Sequence, residues 1–148
     1  MFNIVEVSYT DDCAAILSEL ENICFPHDYW TLESLKGEMQ KSSTCIFVAV
    51  ESQEIIGYVC FSLLYDEAEL NRICVLPQYR SKGIGSRLMD FLINKLKALS
   101  CAKLMLEVRS TNSEAVALYK KFGFKTDFVR KGYYLNPPDD AILMTLTF

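Results

Sequence analysis

One histidine, His27, stands in 148 residues, so a histidine-rich metal centre is excluded. The six cysteines (Cys13, Cys24, Cys45, Cys60, Cys74 and Cys101) never come within four residues of one another. The close-paired ligand spacing of a structural zinc site is therefore missing, and the expectation is small buried thiols in a reducing cytosol, with no metal. No apolar run approaches the roughly 20 residues that span a bilayer. No basic segment with an apolar stretch behind it opens the chain, so the reading is a cytoplasmic protein without a membrane partner. Nor is there a surplus of basic charge. A net charge of −4 argues against nucleic-acid binding by the domain as a whole. Gly83-x-Gly85 lacks the third glycine of a dinucleotide fingerprint, no Gly-Lys-[Ser/Thr] follows it, and no Gly-x-Ser-x-Gly elbow occurs anywhere. Repeats, low-complexity tracts and internal linkers are absent too.

What is present suits one globular domain over residues 1–148, with 51% hydrophobic and 23% charged residues. Asn3 to Ser8 alternates as a strand. Thr10 is placed to cap a helix carrying Ala14, Ile16, Leu17, Leu20 and Ile23, and Thr31 a second one over Leu32 to about Gln40. Cys45–Val50, Ile55–Leu64 and Glu67–Leu76 read as three strands, the first two joined by a turn at Ser52-Gln53-Glu54. A helix with an apolar stripe of Ile84, Leu88, Phe91, Leu92, Leu96 and Leu99 follows. Then come a strand at Lys103–Arg109 and a short helix opened by the capping box Thr111-x-x-Glu114 and closed by Gly123. Lys125–Tyr134 and Ala141–Phe148 are the last strands, with a turn over Asn136–Asp140. The order β-α-α-β-β-β-α-β-α-β-β predicts an α/β domain with a mixed, mostly antiparallel sheet flanked by helices. Its central crossover makes two strands parallel, and ligand sites on such sheets lie at strand carboxyl ends near a switch in strand order.

At one such end stands Arg80-Ser81-Lys82-Gly83-Ile84-Gly85-Ser86. Glycines let the backbone turn sharply and approach a ligand, and a helix N-terminus presents unpaired N–H groups with a positive dipole end. The string reads either as an anion site or as a strand-to-helix turn that uses glycine for geometry. Glu107, within an otherwise apolar strand, is either a reactive carboxylate or a partner of Arg72 or Arg109. Tyr119 is either a reactive phenol or a core aromatic beside Val116, Leu118 and Phe122.

The segments ELNRICVLPQYRSKGIGSRLM, LEVRSTNSEAVALYKKFGF, RKGYY and DDAILM resemble the GCN5-related N-acetyltransferases (GNAT), and within them the RimI-type enzymes that acetylate the N-terminal alanine of a small-subunit ribosomal protein. The resemblance is dense over Leu70–Phe148 and loose before it. It implies the GNAT fold and acetyl-CoA as co-substrate. Ser81–Ser86, opened by Arg80, would hold the pyrophosphate. Ile73, Cys74 and Val75 would line the acetyl and pantetheine arm, and Asn112 would touch the cofactor. Glu107 aligns with the general base and Tyr119 with the general acid.

Those residue types suit direct attack by an amine on a thioester, which needs a neutral amine, a polarised carbonyl and a proton for the leaving thiolate. The implied partner is an acceptor protein N-terminus; the sequence leaves the oligomeric state open, with a monomer expected. Acceptor choice is expected in the Phe25–Trp30 loop, where His27-Asp28-Tyr29 departs from many relatives of that type, and in Tyr133–Asp140. Asp28, Asp66, Glu67, Glu69, Asp139 and Asp140 either favour a basic peptide or are solvated loop charges. Two other readings stay open: a GNAT enzyme acting on a small amine or a lysine, and a non-catalytic acyl-CoA-binding module.

Overall fold

The computed structural model describes all 148 residues. Seven strands form one sheet in the order β1-β2-β3-β4-β5-β7-β6: β1 (Asn3–Val7), β2 (Thr44–Glu51), β3 (Glu54–Leu64), β4 (Glu67–Val75), β5 (Lys103–Arg109), β6 (Lys125–Leu135) and β7 (Pro138–Thr147). Every neighbouring pair is antiparallel except β4 and β5. Four helices complete the chain: α1 (Asp11–Cys24), α2 (Leu32–Met39), α3 (Ile84–Ala98) and α4 (Ser113–Lys121). The expected element order is thus met.

Strand β2 shows why its run is apolar throughout. Ile46 and Val48 point into a core shared with Ala14, Leu17 and Leu20 of α1 and Leu35 of α2. Phe47 and Ala49, on the other face, join Leu88, Leu92 and Leu96 of α3. A strand covered on both faces has no polar side to show. In α3 the buried face is Ile84, Leu88, Met89, Leu92, Ile93 and Leu96, whereas Phe91 and Leu99 of the expected stripe are exposed. The sheet buries an arc rotated toward Met89 and Ile93 relative to the apolar stripe.

Thr10 and Thr31 cap their helices, accepting from the amides of Cys13 at 3.0 Å and Ser34 at 3.1 Å. At α4 the cap is Asn112 instead of Thr111. The Asn112 Oδ1 accepts from the Ala115 amide at 3.2 Å, while the Thr111 hydroxyl is taken by Asp139 at 2.5 Å. The last hairpin is tighter than expected, because Pro138, Asp139 and Asp140 already belong to β7.

The parallel pair β4–β5 decides where a site can form. It is in register only at Glu67↔Lys103, Ala68↔Leu104 and Glu69↔Met105. One residue further on, β4 carries a bulge: Leu70 pairs with Phe61 and Arg72 with Cys60, which leaves Asn71 as the extra residue. Beyond it the strands part, and Leu70–Val75 faces Leu106–Arg109 across a gap.

Candidate active site

The gap is a cleft of about 860 Å³. On one side it is lined by Ile73, Cys74 and Val75 of β4, then by Arg80, Ser81, Gly83, Ile84, Gly85 and Ser86. On the other it is lined by Glu107 and Arg109 of β5 and by Asn112, Leu118 and Tyr119 at α4, with Asp28, Trp30 and Tyr134 at its mouth. Of the residues expected from the sequence to bind the cofactor or to take part in catalysis, Lys82 alone does not line the cleft. Its ammonium lies over the Tyr79 ring, 5.5 Å from the centroid.

The turn before α3 is built to leave donors free. Ser81 (φ 63°) and Gly83 (φ 80°) are both left-handed, with Lys82 between them. Such alternation turns successive amides toward one concavity, a nest for anions. Helices α1, α2 and α4 each spend a side-chain oxygen on their first turn, whereas α3 has no side-chain cap. The six amides from Ser81 to Ser86 have no acceptor within the chain, and helical bonding begins with Arg87 N–H to the Gly83 carbonyl at 3.0 Å. Free donors in a concavity, at the positive end of a 15-residue helix, fit a diphosphate. A Cβ on Gly83 would meet nothing within 4 Å, so glycine is required there by its φ and not by crowding. Arg80 turns away from the nest, its Nε donating to the Val75 carbonyl at 2.9 Å.

Tyr119 packs its ring against Phe124 with centroids 5.6 Å apart, and it is buried. Burial, with Tyr134 adding to it, pushes the hydroxyl above its ordinary value near 10. That hydroxyl has no hydrogen-bond partner in the chain, although the ring is core packing. Glu107 is neither an edge residue nor a partner of Arg72 or Arg109. It sits on the central strand β5, opposite Leu143, with Arg130 Nη1 at 3.9 Å. Tyr134 stands beside it, half-buried, its pKa raised first by burial and then by the Glu107 charge.

Several contacts have no counterpart in the local sequence pattern. Glu21, fully buried on α1, accepts from the Tyr58 hydroxyl and from the Trp30 amide at 2.8 Å, and pairs with Arg72 at 3.1 Å. Arg72 lies over the rings of Phe25 and Trp30, at 4.5 and 4.9 Å. The loop between α1 and α2 is thereby fastened to β4. Cys24 and Cys74 both line the cleft, and the Cys24 thiol donates to the Val75 carbonyl at 3.6 Å. The Cys24 thiol is lowered to about 7, by Cys74 first and by Arg80 after it, against the effect of burial. Of the six acidic residues noted near the acceptor side, Asp28 alone lines the cleft, where Arg109 holds it. Asp139 is held to about 2 by the hydroxyls of Ser110 and Thr111, Asp140 is bonded by Gly132 and Lys131, and Glu67 pairs with Lys103.

The model of the Acetyltransferase (GNAT) family matches residues 11–124. The chain belongs to the GNAT family of acetyltransferases. Among characterised GNAT proteins it is 33% identical to the [ribosomal protein bS18]-alanine N-acetyltransferase of Escherichia coli K12 over 148 residues, 99% of this chain and 97% of that one. It is 37% identical to the enzyme of the same name from Haemophilus influenzae over 122 residues, 80% of each chain. The crystal structure of the ribosomal-protein-S18-alanine N-acetyltransferase from Escherichia coli superposes with a TM-score of 0.90 at 28% identity, covering 99% of this chain and 94% of that one. The α/β fold with its mostly antiparallel sheet is therefore the GNAT fold, and the protein is an acetyltransferase. No helix is long and apolar enough to cross a membrane.

Proposed function

We propose that residues 1–148 form a single N-acetyltransferase domain that moves the acetyl group of acetyl-CoA to a protein N-terminal amine, with the N-terminal alanine of a ribosomal protein as acceptor. The observation that carries this reading is that one cleft is lined by Ser81, Gly83, Ile84, Gly85 and Ser86 with their free amides, by the unpartnered Tyr119 hydroxyl and by the Glu107 carboxylate. The enzymes named for bS18-alanine acetylation that it resembles over nearly its whole length support the choice of acceptor.

Acetyl-CoA supplies an acetyl thioester, whose acyl group passes from sulfur to nitrogen while the amine loses a proton. The amides of Ser81–Ser86 bind the diphosphate, and the backbone of Ile73–Val75, which β5 leaves unpaired, offers strand-like hydrogen bonds to the extended arm apart from the Val75 carbonyl, which Arg80 holds. Asn112 keeps its Oδ1 for the α4 cap and has its amide nitrogen free for the cofactor. Glu107 takes the proton of the incoming amine, directly or through one water. An α-amino group with pKa near 8 costs about 3 kcal/mol less to deprotonate than a lysine near 10.4, so one carboxylate suffices for an N-terminus. Tyr119, raised and buried, stays protonated at working pH and donates to the departing sulfur. No cysteine nucleophile is needed.

The test offers acetyl-CoA with an alanine-starting peptide, the same peptide blocked at its N-terminus but carrying lysine, and a polyamine. The reading expects acetylation of the first alone. Acetylation of lysine or polyamine only would replace the acceptor class, and CoA binding without turnover on any amine would make the domain a binding module.

A further inference from the structure

The Phe25–Trp30 loop and the β6–β7 hairpin are over a hundred positions apart in the sequence, and one side chain joins them. Arg109, the last residue of β5, lies two residues beyond Glu107 and so on the same face of the strand. Its Nε and Nη2 donate to the two carboxylate oxygens of Asp28 at 2.8 and 2.9 Å. Its Nη1 donates to the Pro137 carbonyl at 2.7 Å, and Nη2 also reaches the Asn136 carbonyl at 3.4 Å. The guanidinium carbon sits 4.2 Å from the centroid of Tyr134. Asp28 is held a second time, since its backbone carbonyl accepts from Arg72 of β4.

Asp28 is thus gripped through its side chain by β5 and through its backbone by β4, the two strands that part to form the cleft. A planar fork with five donors grips both Asp28 oxygens and still reaches the turn carbonyls, a geometry the single ammonium of a lysine does not match. The Arg109 side chain is 16% exposed, so this pair is less screened than an ordinary surface salt bridge. No bond of Arg109 reaches the Ser81–Ser86 nest.

We propose that Arg109 is a positioning residue that sets the acceptor entrance: it ties the Asp28 loop to the Asn136–Pro137 turn and holds Tyr134 at the mouth beside Glu107. This rests on the reading of the cleft as an N-terminal acetyltransferase site. Two loops fixed before the acceptor arrives need not be ordered by it, so the tie favours binding through lower ordering cost. Cutting it acts on the acceptor and not on the diphosphate of acetyl-CoA, since none of the side-chain bonds of Arg109 reaches the turn before α3.

The test is steady-state kinetics of the full chain with acetyl-CoA and an alanine-starting peptide, for the wild type, Asp28→Asn, Arg109→Gln, Arg109→Lys and the double variant Asp28→Asn/Arg109→Gln. The expected result is an acceptor KM raised about tenfold in Asp28→Asn and Arg109→Gln, with acetyl-CoA KM and melting temperature close to wild type. Arg109→Lys, which keeps the charge but not the fork, falls between. The double variant is no worse than the worse single one, because the tie is already cut. An unchanged acceptor KM overturns the proposal, as does a parallel rise in both KM values with a lowered melting temperature, which marks a merely structural pair. A wild type that acetylates no N-terminal peptide overturns the underlying reading first and this proposal with it, and it is seen before any variant is compared.

Discussion

Glu69 and Met105 are the last residues at which β4 and β5 pair, and everything the cleft contains lies beyond them. Had the ladder continued to Val75 and Arg109, the backbone of Ile73–Val75 would have been spent on β5. The bulge at Asn71, one turn of the pleat past Glu69, marks where the pairing is given up.

Gly83 carries the turn through its φ of 80°. Gly83→Ala should fold, because its Cβ points into open space, yet holding alanine left-handed costs about 1 kcal/mol or more. Part of that strain relaxes by rotating the neighbouring amides out of the nest. Calorimetry should show acetyl-CoA affinity down by about tenfold. Unchanged affinity would mean that the nest is not used.

Tyr119→Phe removes one hydroxyl and leaves the packing against Phe124. Turnover should fall by about a hundredfold while acetyl-CoA affinity stays within about twofold. The pH dependence follows from the direction of the shift. An acid raised above its ordinary value near 10 stays almost wholly protonated up to about pH 9, so wild-type kcat/KM rises with pH through the α-amine near 8 and shows no fall assignable to Tyr119 in that range. A descending limb at about pH 9 that disappears in Tyr119→Phe would contradict this.

Much of this arrangement is readable in the chain because it is local. The glycines of the turn, the threonine caps and the two-faced apolar run of β2 each announce themselves within a few residues. What is not local was not legible. Phe91 and Leu99 fit the stripe of α3 as well as Met89 and Ile93 do, and only the position of the sheet separates them. Thr111 loses the cap to Asn112 because Asp139, brought alongside by the hairpin, takes its hydroxyl. Arg109 finds Asp28 across 81 positions, and Lys82 folds over Tyr79 away from the site it adjoins in sequence.

Glu21 has no local signature either, yet the Phe25–Trp30 loop hangs from it. Glu21→Ala leaves the Arg72 guanidinium without its carboxylate and the buried Tyr58 hydroxyl without its acceptor. Denaturant unfolding should show a loss of about 3 to 5 kcal/mol. Glu21→Gln, which keeps the shape and one of the two acceptor oxygens, should lose less. A loss below about 1 kcal/mol for alanine would mean the network is not stabilising.

Cys24 should be the most reactive of the six thiols. Because its pKa is lowered, Cys24 should be alkylated at a lower pH than the other thiols, while Cys60, pushed up to about 12 by burial, stays inert. Mapping the alkylated sites by mass spectrometry reads this out. Acetyl-CoA should slow the reaction, since Cys24 lines the cleft. Labelling of Cys24 that is indifferent to acetyl-CoA would place the ligand elsewhere.

The most direct measurement is an amide-resolved titration of the full chain with acetyl-CoA, following the backbone N–H signals of residues 81 to 86 by NMR. Their shifts should be the largest in the spectrum, saturate together with the calorimetric binding curve, and be accompanied by shifts at Ile73–Val75. Saturable binding that leaves those six amides where they were would contradict the account at its centre.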